Sequence, residues 1–94
     1  MKDKLQKITK HFGIQNQIVK LNEEVAELTV ACIKNEHTRE EHFEITEEMA
    51  DVMVLLKQLQ IRYEIDDAEI EAVMKEKVDR TLKRIKEGYY DKHR

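Results

Sequence analysis

The chain has 94 residues, 39% of them charged, with two glycines and no proline; 17 Lys/Arg against 20 Asp/Glu leave a formal charge of −3. That balance argues against nucleic-acid binding through a broad basic surface, and a single cysteine, Cys32, excludes an internal disulfide or a thiolate zinc site. No apolar run is long enough for a signal peptide or a membrane span, so neither membrane nor nucleic acid is an expected partner and the cytoplasm is the expected location.

The composition predicts an all-α protein with heavily solvated outer faces. A single domain of this size is marginal alone, so assembly into a dimer or tetramer is expected. In chain order, Leu5, Ile8 and Phe12 share one side of residues 2–12, predicting a short opening helix that ends at Gly13. Phe12 beside this break either closes the core or stacks on a flat ligand; the burial habit of phenylalanine favours the core. Ile14, Ile18, Leu21, Val25, Leu28 and Cys32 alternate steps of four and three and predict a helix over 14–35, with Cys32 a buried free thiol. A polar turn follows, capped by Thr38 ahead of Glu41, and His37 and His42 near it are read as solvated. No histidine completes a Glu-x-x-His pair, which removes a ferritin-like di-iron site.

Ile45, Met49, Val52, Leu56, Leu59 and Tyr63 repeat the helical steps and predict a central helix over 42–63. Residues 64–67 supply an acidic cap for a helix over 66–88, whose buried stripe is expected to be Ile70, Val73, Met74, Val78, Leu82 and Ile85. Lys77, Arg80 and Arg84 line its flank, as a solvated or acid-paired face or, beside an acidic metal site, as a binding stripe for a phosphate chain. The tail, 89–94, is polar apart from two tyrosines and is expected to fray or to lend an aromatic to a neighbouring subunit. The expected architecture is a four-helix-type bundle.

Two acidic pairs stand out within this pattern. Glu24 and Glu27 each precede a seam residue, and so do Glu48 and Asp51, which puts both pairs on the flank of the buried stripe in the same register. If the two long helices pack antiparallel, four carboxylates converge beside a core, where leaving them uncompensated costs several kcal/mol on the order of a buried charge. Acids three apart recur elsewhere in the chain, so a solvated or salt-bridged face is the other reading. Shared placement at the edge of long apolar seams separates these two pairs from the rest. An all-carboxylate ligand set suits a hard cation, Mg²⁺ or Mn²⁺, and such a site suits a phosphate-bearing substrate and hydrolysis of a phosphoanhydride.

The run from Lys20 to Leu28, KLNEEVAEL, followed by Glu48 to Asp51, EMAD, resembles the E-E-x-x-E … E-x-x-D signature of the MazG-like all-α nucleoside triphosphate pyrophosphohydrolases. Phe12-Gly13-Ile14 and Gln17, the DVMVLL continuation of the third helix and the basic fourth helix agree with it, over about Phe12 to Tyr90. The resemblance implies Mg²⁺-dependent cleavage between the α and β phosphates of a nucleotide, releasing a nucleoside monophosphate and pyrophosphate. It implies Glu24, Glu27, Glu48 and Asp51 as metal ligands, with Glu23 or Glu24 activating the water. It also implies Lys77 and Arg84 as phosphate contacts, and a homodimer or homotetramer. Arg80 stands where relatives often carry asparagine, and Phe12 and Gln17 are the further candidates for substrate binding. Phosphoribosyl-ATP pyrophosphohydrolases of histidine biosynthesis carry similar acidic motifs and give the alternative enzyme reading. A catalytically silent helical interaction protein is the reading from another class.

Overall fold

A computed structural model describes the backbone of residues 1–38 and 42–93 and the side chains of 1–37 and 44–91. Among the described residues the regular elements are all helices: α1 (Lys2–Phe12), α2 (Ile14–Thr38), α3 (His42–Arg62), α4 (Asp67–Lys86) and α5 (Tyr89–His93). None of them is long and apolar enough to cross a membrane. The chain divides into two units, Met1–Glu64 and Ile65–Arg94, and each is described by itself.

In the first unit α2 packs along α3, and α1 touches both. Gln17 bonds to Gln58 and Glu24 meets Glu48. Numbers rise on α2 as they fall on α3, so the two helices run antiparallel. Helix α2 continues past Asn35, where the sequence suggests a turn, to Thr38. His37 is exposed, as its solvated reading requires. The expected capping pair Thr38 and Glu41 and the side chain of His42 lie outside the described residues.

The line of closest contact differs from the expected seam. Leu5, Ala31, Val52 and Leu55 are buried together with three polar residues, Gln17, Glu24 and Gln58. Steps of seven place Gln17, Glu24 and Ala31 on one line of α2, and Val52, Leu55 and Gln58 share a face of α3. Val25 is 43% exposed, and Ile18, Met49 and Leu56 are exposed as well. Both helices are thus rotated by about one residue, 100° or less, from the predicted orientation, which turns Glu24 from the flank onto the contact line. Cys32 is half-buried where a buried thiol was expected. The physical reason is the width of the apolar arc: only part of it can face the hairpin partner, and periodicity does not say which part.

A directional chain of side-chain hydrogen bonds joins the three helices. Gln17 Nε2 donates to Gln58 Oε1 at 3.1 Å, Gln58 Nε2 to Thr9 Oγ1 at 3.0 Å, and Thr9 Oγ1 to the Leu5 carbonyl at 3.0 Å. Gln58, 1% exposed, gains both partners because amides satisfy buried polar demand from either end. Helix α1 ends as expected at Gly13, whose N–H reaches the Thr9 carbonyl at 2.8 Å with φ of 89°, a backbone conformation suited to glycine.

In the second unit the Asp66 side chain caps α4, accepting from the Glu69 N–H at 2.8 Å. The turn after α4 passes through Gly88 at φ 71°, and the tail, expected to fray or to lend an aromatic to a neighbouring subunit, forms α5. Arg84 lies 4.7 Å over the Tyr89 ring, and Tyr89 meets Tyr90 edge to face at 5.2 Å. No residue of α4 is buried, and Val73, Met74, Val78, Leu82 and Ile85 are exposed, where a buried stripe was expected. A unit made of one long and one five-residue helix has too little surface of its own to cover that stripe.

Candidate metal centre

Helices α2 and α3 bring three of the four expected carboxylates together. Glu24, Glu27 and Glu48 each offer an oxygen, and these oxygens lie within 4.8 Å of one another. Glu24 and Glu27 are adjacent because residues three apart on a helix share a face, and the antiparallel register supplies Glu48 across the pair. Asp51 is exposed and stays outside this trio, one helical turn beyond Glu48. Its charge still acts on the cluster: the Glu48 carboxyl is held above its ordinary 4.5 by burial first, then by the negative charges of Glu27, Asp51 and Glu24, and by a hydrogen bond with Glu27.

Glu24 is 6% exposed and its two oxygens have different surroundings. Lys20 Nζ approaches Oε1 at 3.0 Å and also lies 3.8 Å from Glu23 Oε2. The hydrogen bond and charge of Glu24 hold the Lys20 ammonium above its usual range. Oε2 of Glu24 and Oε2 of Glu48 are buried and, among the described residues, have no hydrogen-bond partner. Buried acceptors in that state are rare in folded proteins, and each costs about 1–3 kcal/mol or more.

This donor set fits a hard divalent cation. All three groups are carboxylates, and Glu24 and Glu48 each carry one buried oxygen without a hydrogen-bond partner among the described residues. Octahedral ligands about 2.1 Å from Mg²⁺ stand about 2.9–4.2 Å apart, so the observed spacing needs only small side-chain adjustments. Glu24, Glu27 and Glu48 are the residues that could hold such an ion, with Asp51 within reach of its field.

Beside the cluster, Glu24, Asp51 and Lys20 line a hollow of about 500 Å³. Ile8, Phe12, Val54 and Leu55 supply its apolar walls, and Asn16, Gln17 and Gln58 line it as well. Phe12 is 55% exposed and lies on this hollow, where the burial habit of phenylalanine favoured the core; the Gly13 break leaves the ring at the end of α1, past the contacts made by Leu5 and Thr9. Gln17 is buried, and its amide nitrogen is committed to Gln58. Glu23 is exposed and faces Lys20 rather than the trio. Lys77, Arg80 and Arg84 belong to the second unit, with Lys77 and Arg80 exposed and Arg84 half-buried under Tyr89.

Sequence reading overlooked Lys20 and Gln58. A lysine four residues before Glu24 is the ordinary signal for a helical ion pair, and a glutamine between Leu55 and Leu59 interrupts an apolar seam where a polar side chain needs a buried partner. Comparison with family models, curated proteins and solved structures finds no match to this chain.

Proposed function

We propose that the acidic centre holds Mg²⁺, with Mn²⁺ as an acceptable substitute, and that the chain is a nucleoside triphosphate pyrophosphohydrolase releasing a nucleoside monophosphate and pyrophosphate. The observation that carries this reading is a cluster of three carboxylates in which Glu24 and Glu48 each have a buried oxygen without a hydrogen-bond partner among the described residues. The motif resemblance supplies the bond cleaved and the substrate class.

In this reading Glu24, Glu27 and Glu48 hold the ion, and Asp51 completes the negative field at its side. A divalent cation there supplies charge neutralisation for the phosphates and a water of lowered pKa. Glu23, or Glu24 itself, orients the attacking water and takes its proton as the α–β phosphoanhydride opens; the proton and the new oxygen end on the two products. Lys20, already bridging Glu23 and Glu24, fixes the orientation of both carboxylates. Lys77, Arg80 and Arg84 are assigned to the substrate phosphates through the resemblance alone.

The same reading includes a second copy of the chain. Val25, Met49, Met53 and Leu56 leave one flank of the α2 and α3 pair apolar and exposed, and α4 exposes a second apolar stripe. Contiguous apolar surface of this kind marks association sites. A homodimer or homotetramer that covers it closes a four-helix-type bundle and gives the small chain the core it lacks.

The test is pyrophosphate release from the eight common nucleoside triphosphates and from phosphoribosyl-ATP, with Mg²⁺ and with chelator. Metal-dependent release from one or more triphosphates is the expected result. Release from phosphoribosyl-ATP alone would move the chain to the histidine-pathway reaction. A folded protein that neither turns over any of these nor binds Mg²⁺ would be the silent helical bundle.

A further inference from the structure

We propose that Lys20 is a positioning residue that keeps Glu24 a one-oxygen ligand and thereby sets the acidic centre for Mg²⁺ against Ca²⁺. The proposal deepens the metal reading and rests on it. What it adds is the choice between two hard cations and the side chain that makes the choice.

The two ions ask different things of a carboxylate. Mg²⁺ demands a near-ideal octahedron at about 2.0–2.1 Å, whereas Ca²⁺ takes about six to eight oxygens at 2.3–2.6 Å and accepts both oxygens of one carboxylate. Those two oxygens share a carbon, so they subtend a narrow angle at any ion they both touch. That angle distorts an octahedron and suits the larger, looser shell of Ca²⁺. A side chain that occupies one of the two oxygens therefore handicaps Ca²⁺ more than Mg²⁺.

Glu24 is in that state. Lys20 Nζ stands 3.0 Å from Oε1, while Oε2 is buried and, among the described residues, has no hydrogen-bond partner. One oxygen is engaged, and its twin is left for the cluster with Glu27 and Glu48. The Glu24 side chain is only 8% exposed, so an Oε1 that let go of Lys20 would find little water to replace it. Turning both oxygens toward one ion means giving up a charge-assisted hydrogen bond at a buried acceptor.

An ordinary helical ion pair does not account for Lys20. A lysine four residues before a glutamate is the less favourable order on a helix, and pairs exposed at both ends contribute little. This pair has one buried end, and other carboxylates hold the ammonium in place: Glu23 Oε2 lies 3.8 Å away, and the charge of Glu27 acts on it as well. The other role open to Lys20 is that of a plain counter-charge. Removing a counter-charge strengthens the binding of every divalent cation alike, whereas freeing a blocked oxygen changes the ratio between Ca²⁺ and Mg²⁺. That ratio separates the two roles.

The experiment measures the Kd of Mg²⁺ and of Ca²⁺, each alone, by calorimetry for the wild type, Lys20→Met and Lys20→Arg. The Lys20 side chain is 51% exposed, so its replacement disturbs little packing, and circular dichroism checks that the helices persist. In Lys20→Met the affinity for Ca²⁺ should rise relative to that for Mg²⁺ by about tenfold, the scale on which a lost partner of a metal ligand acts. Lys20→Arg, whose guanidinium still donates to Oε1, should hold the ratio within about twofold of the wild type. Difference infrared spectra on adding Ca²⁺ should show the narrowed separation of carboxylate stretches that marks two-oxygen coordination in Lys20→Met and not in the wild type. A ratio in Lys20→Met within about twofold of the wild type, with both affinities moving together, would reduce Lys20 to a counter-charge and overturn the proposal. The metal centre itself would stand in that case. Binding of neither ion by any of the three proteins would remove the metal centre, and the proposal with it.

Discussion

Replacing Gln58 with leucine tests how α1 is fastened to the α2 and α3 pair. The two side chains have similar size, so the substitution leaves little cavity and isolates the polar effect. It removes the acceptor of Gln17 Nε2 and the donor to Thr9 Oγ1. The two losses are unequal: Thr9 keeps its own bond to the Leu5 carbonyl, whereas the Gln17 amide nitrogen is stranded in a residue only 8% exposed. A stranded buried donor costs about 1–3 kcal/mol. At about 4–8 °C per kcal/mol for a domain of this size, Tm should fall by roughly 5–20 °C. The double variant Gln17→Leu/Gln58→Leu removes both halves of the buried pair and should recover most of the loss, with a coupling of about 1–2 kcal/mol. Thermal and urea unfolding of the wild type, both single variants and the double variant supplies the cycle, run at one protein concentration because association would move Tm. Single variants that cost nothing, or a double variant whose loss is the sum of the singles, would refute the reasoning.

Further outcomes follow from the same geometry. Glu48 has a folded-state pKa above its ordinary 4.5, so the fold binds its proton more tightly than the unfolded chain does. Metal-free stability should therefore decline as pH rises from below 4.5 through the raised value and level off above it, and Glu48→Gln should flatten that slope in unfolding curves taken across the window. Mg²⁺ at about a hundred times its Kd should stabilise the wild type by about 2.7 kcal/mol; Glu48→Gln should weaken Mg²⁺ binding in calorimetry and abolish pyrophosphate release, and full activity in that variant would remove Glu48 from the ligand set. Met53→Glu places a charge on the bare flank of α3 and should shift light-scattering mass toward the monomer, while an unchanged mass would show that this flank is not the interface. Asp66→Ala removes the cap bond to Glu69 and should cost about 0.5–2 kcal/mol, read as earlier loss of the α4 helix signal.

The helices themselves were determined by local chemistry: alternating three- and four-residue apolar steps, Gly13 and Gly88 as stops, Asp66 as a cap, and no proline to interrupt them. Those signals act within a turn or two of the chain, and one sequence therefore suffices to read them. The acidic motif was legible for the same reason, since Glu24 with Glu27 share a face by helical spacing alone. Tertiary structure decided what spacing leaves open. The rotation of α2 and α3 about their axes turned Glu24 onto the contact line and Val25 off it, left Asp51 at the rim of a hollow rather than in the trio, and chose Gln17 and Gln58 as a buried pair. Periodicity defines an apolar arc wider than any one neighbour can cover, so the part that faces inward is set by packing between segments far apart in the chain. The opening of Phe12 to the hollow, and the isolation of two glutamate oxygens from every donor among the described residues, are likewise products of that packing.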